Sequence, residues 1–221
     1  MQLLAHHRLQ EVMGATELEI SLEAKLLGGR KVSAKAMAVR RHEEERGRRT
    51  RLITANVTNS VYFKPQIEAL DAEIIAMQET RHRPGSMRHM DNAARALDPP
   101  RETVWGNPLP ATDGADSLST HGGVAISSCY TINRSREQFP DKVNEEGRIV
   151  DAHIALGKGV TLQVIAVYCP PPGFSDSSRK CEAILALAME RWRSCATGPC
   201  IITGDFNREV HTMPTWTALE D

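Results

Sequence analysis

No stretch of this chain approaches the roughly 18 consecutive apolar residues that a membrane span needs, and no Cys-x-x-Cys pair of a structural zinc site occurs among its five cysteines. The opening Met1-Gln2-Leu3-Leu4-Ala5-His6-His7-Arg8 lacks the long apolar core of a secretory signal, so secretion is not expected. Internal repeats and low-complexity tracts are also missing. So is any excess of charge. With 27 Lys and Arg against 28 Asp and Glu the net charge is -1, and a polyanionic partner would have to be met by a local basic patch. Cys129, Cys169, Cys181, Cys195 and Cys200 are odd in number. They are expected to be reduced and mostly buried, in an intracellular protein.

What is present fits one sizeable globular domain: 221 residues, 41% hydrophobic and 25% charged. Residues 1–50 stand apart as an N-terminal extension, without turn-bounded apolar runs and ending in the charge-dense stretch 40–51. That stretch reads as a solvated linker because glutamates interrupt its arginines; the functional alternatives are a nucleic-acid contact or a nuclear-import signal. Within the extension Leu18, Ile20, Leu22 and Ala24 alternate, Gly28-Gly29 follows and Val32, Ala34, Ala36 and Ala38 alternate again, as in a hairpin, while Leu18, Leu22 and Leu26 also share one helical face. Both readings stand.

From residue 51 the pattern sharpens. Residues 51–57 read as a buried strand, 66–70 as a short helix and 73–78 as a second strand, a crossover onto one sheet. A loop-rich stretch is expected to about residue 120, then strands over 122–128, 147–154 and 160–168, the last stopped by Pro170-Pro171-Pro172-Gly173. Asp176 or Ser177 is placed to cap a helix whose apolar face holds Ile184, Leu185, Ala188 and Trp192. A final strand runs into Gly204-Asp205-Phe206-Asn207.

That last motif places a carboxylate and an amide two positions apart. In extended chain they share a face, and Gly204 lets the backbone approach closely. A carboxylate orients water, and an amide donates to a phosphoryl oxygen without adding negative charge. Other strand ends carry Asn56, Gln78-Glu79-Thr80 and Tyr168. Taken singly, Glu79 is a surface carboxylate, Asn56 a turn residue and Tyr168 a packed aromatic. Together they form a set, as when a sheet builds a site at its edge.

The order of these motifs resembles the endonuclease/exonuclease/phosphatase superfamily, the Mg²⁺-dependent phosphodiesterases related to apurinic endonucleases and DNase I. Five features carry the likeness: a strand ending in Asn56, a strand ending in Gln78-Glu79-Thr80, the strand from Gly123-Val124-Ala125, Tyr168 before a Pro-rich turn, and Gly204-Asp205-Phe206-Asn207. The resemblance implies a four-layer αββα sandwich of two mixed sheets over a domain at 51–221. It assigns Glu79 and Asn56 to Mg²⁺ or Mn²⁺, Asp205 to the attacking water, Asn207 to a non-bridging oxygen and Tyr168 to the charge building on phosphate. Gly122-Gly123 and Arg148 also fit the family, as strand entry and a surface ion pair. The wording Ala55-Asn56-Val57-Thr58 and Ala76-Met77-Gln78-Glu79-Thr80 is most similar to endonuclease domains of non-LTR retroelements.

The family pattern continues to a further Asp and a terminal Ser-Asp-His, neither of which this chain contains. Fourteen residues follow Asn207, and His211 lies out of that context. The expectation is therefore a C-terminally truncated domain with an incomplete second sheet and compromised catalysis. For substrate, Arg81, Arg83 and Arg88, with His82, His89, Arg95 and Arg101, offer a phosphate-backbone surface pointing to DNA. The alternatives are a phosphatase of small-molecule or lipid phosphates and an inactive remnant that at most binds nucleic acid.

Overall fold

A computed structural model describes residues 15–21, 49–57, 67–107, 122–134, 139–140, 147–157, 159–173, 176–195, 198–209 and 212–217. Among these residues, nine strands form two mixed sheets. The first contains β1 (Ala15–Ser21), β2 (Arg49–Asn56), β3 (Ile74–Gln78), β4 (Glu102–Trp105) and β5 (Val124–Ser128) in the order β1-β2-β3-β5-β4. The second contains β6 (Ile132–Arg134), β7 (Ile149–Gly157), β8 (Val160–Tyr168) and β9 (Cys200–Asp205), in sequence order. β2 runs parallel to β3, and β8 parallel to β9; the other neighbours are antiparallel.

Period-2 alternation assembles the layers. Along β3, Ile74 and Ala76 face the inter-sheet core while Ile75 and Met77 face outward; along β8, Leu162, Val164, Ala166 and Tyr168 face in while Ile165 and Val167 face out. Both faces of each central strand are therefore apolar and need a cover. Helix α1 (Pro84–Arg95) covers the first sheet with Met90 and Ala94, and α2 (Ser177–Arg193) the second with Cys181, Ile184, Leu185, Ala188 and Met189. A short α3 (Pro214–Thr217) follows, with Met213 and Trp216 against the α2 layer. The expected αββα sandwich is what forms.

Several local expectations change. The segment read as loop between 79 and 120 holds α1 and β4. Pro84 starts α1 with a helical φ, and the Ser86 hydroxyl accepts the Arg83 N–H. Residues 67–69 form only one helical turn. Asp176 precedes α2 but does not cap it; with φ 58° its carboxylate pairs with Arg179 at 3.1 Å. Trp192 is exposed, and Met189 takes the inward place. β1 settles the helix-or-strand alternative at 15–21 and pairs antiparallel with β2, from Ala15↔Ala55 to Ser21↔Arg49. The hairpin mate expected around Val32–Ala38 lies outside the described residues. All five cysteines are free thiols, with Cys169 and Cys181 buried and the rest half-buried.

Candidate active site

Parallel pairing fixes where the polar residues emerge. In β2 and β3 the register matches Asn56 with Gln78, and in β8 and β9 it matches Tyr168 with Asp205. The chain ends of all four strands thus lie at one edge, where open α/β sheets characteristically place ligands. At this edge a side-chain bond crosses the seam between the sheets: the Tyr168 hydroxyl donates to Glu79 Oε1 at 2.6 Å. Arg81 Nη2 approaches Glu79 Oε2 at 3.5 Å. Asn56 is exposed at its strand end.

On the other side of the seam, Asp205 Oδ1 accepts the Asn207 N–H at 2.9 Å, the local turn that aspartate favours. Asn207 Nδ2 donates to the Cys169 carbonyl at 2.7 Å, and the same side chain also hydrogen-bonds Asp205, so the amide is fixed beside the carboxylate. Glu79 and Asn207 both have left-handed backbone, φ 53° and φ 51°. Such strain costs about 1–3 kcal/mol per residue and collects at functional sites.

Burial pushes the Asp205 carboxyl above the ordinary carboxylate range; the Asn207 N–H opposes this, and the neighbouring Glu79 charge adds to it. A raised carboxyl is the better proton acceptor at neutral pH. Burial also raises the Tyr168 phenol, reinforced by its bond to Glu79 and that residue's charge, so the hydroxyl stays protonated and can donate. Arg148, expected at the surface, is instead buried, with its guanidinium 5.0 Å from the Tyr168 ring centroid. Nothing in its sequence context distinguishes this role from a surface arginine.

The donor set suits a hard divalent cation: the half-buried Glu79 carboxylate, the exposed Asn56 amide and the Asp205 carboxyl beside Glu79. Mg²⁺ takes few protein oxygens and keeps its waters. Among the described residues no cluster of three or more His, Cys, Asp or Glu gathers, so a site dominated by protein ligands, as for zinc, does not form there. Of the basic residues singled out from sequence, Arg83 and Arg88 are exposed with His89 and Arg95, whereas Arg81 is half-buried against Glu79. Arg101 and His82 turn inward. Arg101 Nη2 donates to the carbonyls of Ala72 and Glu73 at 2.8 and 3.0 Å.

Known structures share this fold. An endonuclease/exonuclease/phosphatase from Beutenbergia cavernae DSM 12333 is similar with TM-score 0.54 and 15% identity over 77% of this chain and 53% of its own. The APE2 catalytic domain of Xenopus laevis is similar with TM-score 0.52 and 20% identity over 76% of this chain and 66% of its own. An AP endonuclease from Archaeoglobus fulgidus is similar with TM-score 0.48 and 19% identity over 73% of this chain and 58% of its own. At these identities the likeness of the first two is one of fold, DNase I-like, and this chain spans between about half and two thirds of the three proteins. No curated protein matches the chain significantly. Among the described residues no helix is long and apolar enough to cross a membrane. The pattern of the endonuclease/exonuclease/phosphatase family matches residues 51–219, about three quarters of the sequence, and the chain belongs to that family.

Proposed function

We propose that this chain is a metal-dependent phosphodiester hydrolase domain acting on DNA. The observation that carries the reading is the convergence of Glu79, Tyr168 and Asp205 across the inter-sheet seam, with Asn207 fixed beside them. Glu79 and the Asn56 amide oxygen would hold Mg²⁺ or Mn²⁺, which when bound supplies charge neutralisation at the phosphate. Asp205 would take the proton of the attacking water as its oxygen bonds to phosphorus and the ester oxygen leaves. The Asn207 amide would hold a non-bridging oxygen. Tyr168, raised and protonated, would turn its hydroxyl from Glu79 to the phosphate as charge builds.

DNA is favoured as substrate because Arg83, Arg88 and Arg95 stand exposed on and beside α1, which starts directly after the Glu79 turn. The wording of the Asn56 and Glu79 motifs supports a place among retroelement endonuclease domains. The test is nicking of supercoiled plasmid by the 221-residue protein with Mg²⁺ or EDTA, beside Glu79→Ala. Metal-dependent nicking lost in the variant is the expected result. No nicking from folded protein would instead make it an inactive remnant, and nicking retained in Glu79→Ala would refute the role of Glu79.

A further inference from the structure

One buried imidazole has no part in the chemistry above. His82 is 0% exposed, and its Nε2 lies 2.9 Å from the Gly106 carbonyl oxygen. That oxygen only accepts, so Nε2 carries a hydrogen. Nδ1 lies 2.8 Å from the Thr80 hydroxyl. Burial holds the ring below its ordinary pKa, against the Gly106 bond, so it is neutral at pH 7 and Nδ1 accepts from Thr80. The Trp105 ring packs on His82 with centroids 5.2 Å apart, and its indole N–H donates to Asp91 of α1 at 2.6 Å. His82 thus ties the turn after β3 to β4 and, through Trp105, to α1.

That turn is strained twice in three residues, at Glu79 (φ 53°) and Arg81 (φ 47°). Left-handed backbone at non-glycine residues persists only where the surroundings over-determine it. Here Thr80 N–H donates to the Gly123 carbonyl and Arg81 N–H to that of Gly122, each at 3.1 Å. A Cβ on Gly123 would lie 2.5 Å from the Thr80 hydroxyl oxygen. Thr80 is therefore clamped between Gly123 and His82, immediately after the carboxylate that reaches Tyr168.

We propose that His82 is a positioning residue which, through Thr80, fixes the left-handed turn that aims Glu79 across the seam at Tyr168. Its kinetic consequence rests on the hydrolase reading above; its geometric consequence does not. Because replacing His82 itself risks the fold, the decisive variants are Thr80→Val, which keeps the shape but cannot donate to Nδ1, and Thr80→Ser, which can. Both are compared in the full chain with melting curves as the fold control. The first readout is the ¹³Cζ shift of labelled tyrosine at pH 7, with the Tyr168 signal assigned by Tyr168→Phe; it reports whether the phenol donates to a carboxylate. The second is Mg²⁺-dependent plasmid nicking.

Folded Thr80→Val should move the Tyr168 signal toward that of a water-exposed phenol and lower kcat by about 100-fold, the scale of an ångström-sized misplacement, with KM little changed. Thr80→Ser should restore both. A folded Thr80→Val with an unmoved Tyr168 signal overturns the proposal. If the unmodified chain fails to nick DNA, the hydrolase reading falls, while the Tyr168 signal still decides the role of His82.

Discussion

Replacing Gly204 by alanine should cost more than any other small change near the site. Gly204 has φ 145°, which side chains rarely tolerate, and a Cβ there would lie 1.9 Å from the Val167 carbonyl oxygen and under 3 Å from the Val167 carbon and nitrogen. All three are backbone atoms of β8, paired with Gly204 in parallel register, so no rotamer change relieves the clash. Backbone strain costs about 1–3 kcal/mol. Overpacking adds about 1–3 kcal/mol. In a chain of this length each kcal/mol lowers the melting point by roughly 2–4 °C, so the loss should be roughly 5–20 °C. Gly159→Ala isolates the strain, since Gly159 has φ 77° and no atom lies within 4 Å of where its Cβ would stand. The assay is thermal unfolding of both variants by circular dichroism. Equal melting points would refute the argument, because backbone strain alone would then explain both.

Two further outcomes follow from named groups. Burial lowers the His82 pKa below 6.5, so the unfolded chain takes up a proton that the folded chain refuses; His82 stabilisation is fully present above pH 6.5 and is lost as pH falls below it. Asp205, with its raised carboxyl, contributes in the opposite direction at lower pH. Urea midpoints should therefore drop from pH 7.5 to 5.5 more steeply in the unmodified chain than in folded His82→Gln, and equal slopes would remove the assignment. If α1 tracks a phosphate backbone, Arg88→Gln should weaken DNA binding and flatten the log K against log salt slope by about 0.9. An unchanged slope would take Arg88 off the interface.

Most of the sheet framework is legible in the sequence because its strands are buried on both faces and so read as continuous apolar runs between turn residues. β8 matches its predicted limits, 160–168, since Gly159 and the proline run bound it. α1 escapes notice for the complementary reason. Its inward residues Met87, Met90 and Ala94 do recur at helical spacing, but Arg88, His89, Asp91 and Asn92 dilute them, and Arg, His, Pro and Gly around it read as loop. β1 shows an ambiguous pattern resolved by tertiary context: the alternation of Leu18 and Ile20 leaves helix and strand open, and the segment becomes a strand by pairing along β2.

The site divides in the same way. Strand ends are visible locally, so Asn56, Glu79, Tyr168, Asp205 and Asn207 can each be named from sequence. Their contacts cannot. The Tyr168 to Glu79 bond joins residues 89 apart, and the inward turns of Arg101, Arg148 and His82 depend on carbonyls or rings from distant strands. A basic residue in a loop-like context gives no sign of which way it faces.

What the two sheets jointly impose is an unfavourable local state that neither would hold alone. Asp205 is half-buried beside Glu79, and two left-handed residues flank the seam. Positive charge comes near from the half-buried Arg81 and from the Arg148 guanidinium on the Tyr168 ring. Each left-handed residue costs about 1–3 kcal/mol. These costs are offset by the alternating apolar faces of β3 and β8, whose burial at about 25 cal/mol per Å² is large against any single strained residue. Tyr168 links the two scales: its ring is a member of the inter-sheet core, while its hydroxyl donates to Glu79. Core packing at Tyr168 therefore determines where the phenol sits, and the phenol, with Arg81 on the other oxygen, determines how the Glu79 carboxylate is held.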